Sequence, residues 1–344
     1  MVFGARRRLE LGTELARLGL TRPLLVSDPS LKTGQELSDL LAPLRVGRFD
    51  EAAMHVPADL AARAVDAARA AAADSLVVVG GGSAIGTAKA IAKDTHLPIL
   101  AVPTTYAGSE MTPIWGITHN QRKTTGHDPH VLPRVVIYDP ELTVSLPPAS
   151  GMNALAHLAE GLYAPQISPL TVLTAQEGIR ALAAGLPKAV ANPADIDARA
   201  EVTYGAWLAG WTLGTTGMGI HHKICHTLGG TYDLPHAPSH SAVIPYALAA
   251  NALAAPAAMA AIETAFRAAG RATDHAAGAI WDLRNELGAT QSLSALGFPA
   301  QELDAAATIV AQGRPVNPRP ADHACARTVL AAAYAGDRPA AFLP

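Results

Sequence analysis

The sequence has little cysteine and little charge, and both shortages narrow the classes of protein to which it can belong. Cys225 and Cys325 are the two cysteines in 344 residues, and their spacing suggests neither a disulfide framework nor a cysteine-based zinc site. Charged residues make up 16%, and the formal net charge of −3 gives no electrostatic footprint for nucleic acid. We therefore expect no nucleic-acid partner.

Long apolar runs are also missing. Charged residues or prolines interrupt the apolar stretches before the roughly 20 residues needed to span a bilayer, and no run typical of a signal peptide follows Arg6, Arg7 and Arg8. Hydrophobic residues nevertheless make up 49% of the chain, which is enough for a sizeable core. We expect a cytoplasmic protein with no membrane partner and with two domains that share a cleft.

The two halves of the chain follow different patterns. In the first half, short β-branched runs such as 76–79 and 135–138 alternate with amphipathic segments, which predicts a mostly parallel, Rossmann-like sheet with helices on both faces. From Ser150 onward the chain is rich in alanine and leucine at helical spacing. We predict an α/β nucleotide-binding domain at 1–148 and an all-helical domain at 149–344.

A glycine-rich turn connects a predicted strand to a predicted helix. The turn consists of Gly80, Gly81, Gly82 and Ser83. Glycines let a backbone approach a pyrophosphate closely, and the helix that follows offers free N–H groups and a positive dipole end. The spacing is not G-x-G-x-x-G, so a plain strand–helix connection is the alternative. The setting favours a phosphate cradle.

Two further segments follow predicted strands and supply candidate nucleotide contacts. Asp28 closes the first strand, where a carboxylate can accept hydrogen bonds from an adenosine ribose and favour NAD over NADP, or can cap a helix instead. Thr104, Thr105 and Ser109 supply hydroxyls at the carboxyl edge of the sheet, where ligands of such folds bind. Taken alone, this second segment could be an ordinary polar loop.

Five of the thirteen histidines fall between positions 221 and 240. His222 and His226 are four residues apart, as are Asn153 and His157 upstream, which places each pair on one helix face. Neutral imidazoles on facing helices suit a divalent metal or acid–base chemistry near neutral pH. We interpret His157, His222, His226 and His236 as functional, and His221 and His240 as ordinary core or surface residues.

These motifs resemble the iron-containing alcohol dehydrogenase superfamily, in which a nucleotide-binding domain precedes a helical domain like that of dehydroquinate synthase. The family's glycine turn matches Gly80–Ser83, and its second nucleotide loop matches Pro103–Thr105. The metal-ligand positions of its D-A-x-x-H and H-x-x-x-H…P-H-G segments match Asn153, His157, His222 and His236, with His226 as an extra histidine beside the reacting centre.

The departures from that pattern are similar to the maleylacetate reductase branch. Asn153 replaces the first metal-binding carboxylate, Gly86 replaces an aspartate after the glycine turn, and Ala237 replaces a glycine. The strings 105–116, 153–157 and 222–226 agree with this branch as well. The resemblance runs from about Phe3 to Pro339.

The resemblance implies NADH- or NADPH-dependent reduction of the double bond of maleylacetate, giving 3-oxoadipate in bacterial aromatic degradation, by a homodimer. Histidines can stabilise the enolate and protonate it, so we expect no metal requirement; a bound metal would use His157, His222 and His236. The candidate contacts for the dicarboxylate substrate are Tyr106, Arg122, Lys123 and Lys223. The alternative for the three basic residues is that they are ordinary solvated charges.

Three alternatives remain open at this point. The first is a metal-dependent alcohol or polyol dehydrogenase of the same superfamily, with iron or zinc at the three histidines. The second is a lyase of the dehydroquinate synthase type, which uses NAD transiently. The third is a non-catalytic nucleotide-binding protein, against which the concentration of histidines argues.

Overall fold

In the computed structural model, the chain folds into two compact units, Met1–Ser145 and Leu146–Pro344. The structure describes residues 1–28, 32–44, 46–119 and 122–343, and not the side chains of Lys32, Arg122 and Lys123. Two predicted substrate contacts, Arg122 and Lys123, therefore lie outside the described side chains. Among the helices within these ranges, none is both long and apolar enough to cross a membrane.

The first unit is built around β-strands. They are β1 (Val2–Phe3), β2 (Pro23–Ser27), β3 (Gly47–Phe49), β4 (Ser75–Gly80), β5 (Ile99–Pro103), β6 (Ile114–His119), β7 (Arg122–His127) and β8 (Val135–Tyr138). A six-stranded parallel sheet forms the centre of the unit, in the order β1-β8-β5-β4-β2-β3. Every residue of β2, β4, β5 and β8 is buried, as expected of strands covered on both faces. A separate antiparallel hairpin, β6–β7, was not predicted from the sequence.

The α-helices that the structure describes beside this sheet are α1 (Leu11–Arg17), α2 (Lys32–Leu40), α3 (Ala58–Ala70) and α4 (Gly82–Thr95). The buried residues of α3 recur at helical spacing, as an amphipathic helix requires: Leu60, Ala61, Ala64, Val65 and Ala68. The ends of β4 and β5 lie side by side, because Gly80 pairs with Pro103. The sheet therefore brings the glycine turn and the second predicted nucleotide loop to the same edge.

The second unit is helical in all of its described regular elements. Its α-helices are α5 (Pro148–Gly161), α6 (Pro169–Ala191), α7 (Ile196–Thr215), α8 (Ile220–Tyr232), α9 (His236–Asn251), α10 (Pro256–Ala268), α11 (Ala276–Glu286), α12 (Leu303–Gln312) and α13 (His323–Ala335). The predicted fold class, a parallel α/β part followed by a helical part, is confirmed.

Two helices of the second unit run through its interior. Every residue of α5 from Ala149 to Gly161 is buried, and so is every residue of α9 from Ser239 to Asn251. Most of these side chains are small, which lets neighbouring helices approach closely. The polar residues on these two helices are therefore held in water-poor surroundings, where a side chain without a partner is costly.

Candidate active site

The glycine turn forms a tight connection from β4 to α4. Gly80 has φ +149°, a backbone conformation that residues other than glycine rarely adopt. A Cβ atom on Gly81 would lie 2.7 Å from Thr105 Cγ2, so the turn and the second loop are in direct contact. The Gly80 carbonyl oxygen also accepts a hydrogen bond from the Thr104 N–H at 3.0 Å. Glycine is required here by the close approach of Thr105.

The start of α4 has the features of an anion site. Gly81 is the N-cap residue, and no described side chain caps the first turn of the helix. The N–H groups of that turn, which begins at Gly82 and Ser83, are therefore available to a ligand. The Thr105 hydroxyl is buried and has no hydrogen-bond partner within the described ranges. These residues fit the phosphates of a nucleotide.

The other predicted nucleotide contacts lie along the same sheet edge or in the loop after β5. Asp28 directly follows β2, and its neighbour Ser27 donates a hydrogen bond to Asp50 Oδ1 at 2.6 Å. Ser109 begins a short 3₁₀ helix, Ser109–Met111, in the loop that also carries Tyr106, which is buried.

In the second unit, α5, α8 and α9 bring together a cluster of histidines. The ring centroids of His157 and His222 are 5.0 Å apart, and His240 lies 4.8 Å from His222 and 6.1 Å from His157. His221 is 4.7 Å from His240. All four rings are buried. From the sequence spacing we identified His157 and His222, but we interpreted His221 and His240 as ordinary residues. The structure places His221 and His240 within the cluster as well.

A carboxylate that the sequence reasoning missed anchors this cluster. Glu160 on α5 is fully buried, and its Oε1 accepts the His221 N–H at 2.9 Å. Its Oε2 accepts the His222 N–H at 3.3 Å and also bonds to His222 Nδ1. Glu160 thus caps the first turn of α8 from another helix and favours the Nδ1–H form of the His222 ring. Its position three residues after His157, one helical turn on, was the available signal.

Electrostatics divide the cluster into one ion pair and a set of neutral rings. Burial alone would raise the pKa of Glu160, but His222 and His221 lower it well below its usual value. Burial opposes the charged form of His221, while Cys225 and Glu160 raise its pKa to about 10. Burial lowers the pKa of His157, His222 and His240, so these rings are neutral near pH 7.

Several nitrogens of the neutral rings are in surroundings that favour the binding of a polar ligand. Within the part of the chain that the structure describes, His157 Nδ1, His222 Nε2 and both ring nitrogens of His240 are buried without a hydrogen-bond partner. Each such group costs about 1–3 kcal/mol when it stays unpaired. Four of them in one cluster favour a polar ligand or substrate atoms as the missing partners.

Two predicted catalytic histidines have exposed side chains. His226 and His236 are exposed, whereas His222 is buried, although its ring lies 6.1 Å from that of His226. The His236 ring lies 4.3 Å from that of His240. Asn153 is buried on α5, one turn before His157. Lys223, a predicted substrate contact on α8, packs close to Gly313, where a Cβ atom would be 2.0 Å from Lys223 Cε.

The metal-ligand set that the family resemblance implies is not the group of ligand atoms that the structure brings closest together. In the described residues, the possible metal ligands that come closest together belong to His221, His222 and His240. Their ligand atoms all lie within 4.8 Å of one another. His157 and His236 stand outside that group. His221 Nε2 is already engaged by Cys225 Sγ at 3.6 Å and by the His240 carbonyl oxygen at 3.3 Å, and its Nδ1 lies 3.7 Å from Glu160 Oε2. Asn153 supplies an amide where a hard cation prefers a carboxylate.

Comparison with known families accounts for both units. The model described as "Iron-containing alcohol dehydrogenase" matches residues 1–140, and the C-terminal model of the Fe-containing alcohol dehydrogenase family matches residues 148–334. The chain belongs to the iron-containing alcohol dehydrogenase family. The oxidoreductase class follows from this membership.

Relatives within the family narrow the assignment. The chain is 46% identical to a maleylacetate reductase of Pseudomonas sp. strain P51 and 47% identical to one of Burkholderia cepacia, each over 98% of this chain and 96% of the relative. The crystal structure of the maleylacetate reductase from Agrobacterium tumefaciens superposes with a TM-score of 0.93 at 44% identity, covering 98% of this chain and 96% of that one. Within its family, the chain belongs to the maleylacetate reductase branch.

Proposed function

We propose that the protein reduces the carbon–carbon double bond of maleylacetate with NADH or NADPH, giving 3-oxoadipate in the degradation of aromatic compounds. The observation that carries the proposal is the buried histidine cluster, whose unpartnered nitrogens on His157, His222 and His240 call for a polar substrate. Similarity to maleylacetate reductases over nearly the whole chain supports this choice of substrate. The same relatives do not favour the alternative of a metal-dependent alcohol dehydrogenase.

The reaction places defined demands on the protein. A bound dihydronicotinamide supplies hydride to the alkene carbon farther from the ketone. The ketone oxygen then becomes an enolate oxygen, which hydrogen-bond donors must stabilise. The carbon next to the ketone must finally receive a proton from an acid. Imidazoles can meet both demands, so the proposal routes no step through a metal.

The site residues divide between these tasks. His222 and His236 polarise the ketone or deliver the proton; for His222, whose Nδ1–H is held by Glu160, this requires a second proton on Nε2. His157 and Asn153 complete the pocket, and His226 acts as a proton relay. His240 adds an N–H donor from the buried side of the cluster, and Glu160 holds the His222 ring in position through Nδ1. The exposed side chain of His236 supports a role in exchanging protons with water.

The nucleotide contacts are proposed for the first unit. The turn Gly80–Ser83 and the loop residues Thr104, Thr105 and Ser109 hold the phosphates and ribose. Asp28 accepts hydrogen bonds from the adenosine ribose, which favours NADH over NADPH because a carboxylate repels a 2′-phosphate. The substrate carboxylates meet Tyr106, Arg122, Lys123 or Lys223.

The decisive experiment follows NADH and NADPH oxidation by the purified protein with maleylacetate, before and after exhaustive chelation. Unchanged turnover after complete metal removal supports the proposal. Loss of turnover that iron or zinc restores supports the metal-dependent alternative. Absence of maleylacetate-dependent oxidation with either nucleotide contradicts the proposed function outright.

Single substitutions test the roles. His222→Ala and His236→Ala should each cut turnover while the affinity for the nucleotide stays nearly intact, and His323→Ala, at an exposed histidine of the same unit, serves as the control. Near wild-type rates in both variants contradict the assignment.

A homodimer and a cytoplasmic location complete the proposal. Light scattering of the purified protein tests the first, and cell fractionation tests the second.

A further inference from the structure

Lys89 is a buried lysine whose ammonium group is directed at one loop. It lies on α4, seven residues after Gly82, and only 1% of its surface is exposed. Its Nζ donates hydrogen bonds to the carbonyl oxygens of Ser109 at 2.6 Å, Thr112 at 2.7 Å and Ile114 at 2.9 Å. Thr112 Oγ1 accepts a fourth contact at 3.0 Å. Three of these four acceptor atoms belong to the loop between β5 and β6, and the fourth belongs to Ile114, the first residue of β6.

Burial of the Lys89 ammonium group costs free energy, so its contacts must contribute something that an apolar side chain would not. Removing an ammonium from water is unfavourable, and burial lowers the pKa of Lys89 to about 7, opposed by the charge of Glu110. The other lysine of this helix is less buried and carries a smaller cost. Lys93, one turn further on, is 33% exposed and pairs with Asp94 at the surface. A residue that only had to cover the apolar core would be satisfied by methionine at position 89.

A second buried contact fixes the same loop from its other side. Glu110 is 1% exposed, and its Oε1 accepts a hydrogen bond from the Tyr138 hydroxyl at 2.8 Å. Tyr138 belongs to β8, which pairs with β5 in the sheet. The loop is therefore tied to α4 through Lys89 and to the sheet through Glu110.

The two elements that Lys89 connects are the two halves of the phosphate cradle. Gly81, at the start of α4, contacts Thr105, at the start of the loop. We infer that Lys89 is a positioning residue for the nicotinamide nucleotide, because its ties from α4 to the loop set the spacing between Gly81 and Thr105. This inference rests on the proposed function, since it assumes that the cradle receives a nucleotide.

Loss of the ammonium should act on the nucleotide rather than on the chemistry. Three backbone carbonyl oxygens would lose their donor, and the loop would shift away from α4 to find other partners. The histidine cluster lies on other elements of the chain. We therefore expect weaker nucleotide binding, while the rate at saturating nucleotide is nearly unchanged.

Lys89→Met tests the inference, because methionine keeps the length and the apolar part of the side chain. We expect the Kd for NADH, measured by fluorescence titration, to rise about tenfold, which equals about 1.4 kcal/mol. The kcat at saturating NADH and the KM for maleylacetate should stay within about twofold of wild type. Lys93→Met is the matched control on the same helix and should leave all three values unchanged.

A folded Lys89→Met variant with wild-type affinity for NADH would overturn the inference, and so would a variant in which kcat falls while the Kd does not move. If Lys89→Met does not fold, Thr112→Val removes one acceptor and keeps the lysine. This variant should raise the Kd about threefold, and an unchanged Kd again overturns the inference. Failure of the wild-type protein to bind NADH would instead contradict the proposed function.

Discussion

Replacement of Glu160 by glutamine is the most informative single perturbation of the helical unit. The carboxylate receives three donors on two oxygens: the His221 N–H, the His222 N–H and His222 Nδ1. An amide has one oxygen and one NH₂ group. Whichever way the amide sits, its NH₂ group therefore faces a donor.

The size of the effect follows from burial and charge. Hydrogen bonds to a charged group are worth about 1.5–3 kcal/mol each, and removing one partner of a buried pair costs about 3–5 kcal/mol. We expect Glu160→Gln to lower the free energy of unfolding by about 3 kcal/mol, since glutamine keeps the shape and one acceptor. Turnover should fall at least about tenfold, because the His222 ring is no longer held through Nδ1.

Urea unfolding followed by far-UV circular dichroism measures the first effect, and steady-state NADH oxidation measures the second. Glu177→Gln is the matched control, because Glu177 is partly exposed and pairs with Arg180 at 2.8 Å on α6. A surface pair of this kind is worth about 0–1 kcal/mol. Equal loss of stability in both variants would refute the reasoning that Glu160 anchors the cluster.

The remaining predictions address the cradle, the buried histidine and acid stability. Gly81→Ala should weaken NADH binding, because its Cβ atom would lie 2.7 Å from Thr105 Cγ2, and Thr105→Ser, which lacks that methyl group, should partly restore affinity; no rescue in the double variant contradicts the steric account. His240→Ala should cut kcat at least about tenfold with the NADH affinity intact, because the ring offers the substrate a donor that nothing else replaces; retained turnover removes His240 from the site. The folded pKa of Glu160 lies below its usual 4.5, so its contribution to stability is complete above that pH and is lost as the pH falls through the folded value. Wild-type stability should therefore drop below about pH 4.5 more steeply than that of Glu160→Gln, and identical acid profiles by thermal unfolding contradict the shift.

Local pattern was sufficient to predict the fold class. Continuous apolar runs of four residues predicted strands buried on both faces, and β4 and β5 have that burial in full. The helix predicted after the glycine turn is α4, Gly82–Thr95, and the helical spacing noted from Ser150 onward begins with α5 at Pro148. The β6–β7 hairpin escaped prediction because its strands are partly exposed and carry polar residues, so no buried apolar run marks them.

The glycine turn between strand and helix and the spacing of Asn153, His157 and His222 could be predicted from the sequence, because helical spacing and chain adjacency are local properties. Which histidines lie inward depends on the packing of whole helices. His240 joins the cluster and His226 is exposed because helix packing, rather than spacing, sets burial. Glu160 reaches residues 61 and 62 positions away, and Lys89 reaches a loop 20 or more positions away. Such contacts depend on how elements cross, which no local pattern encodes.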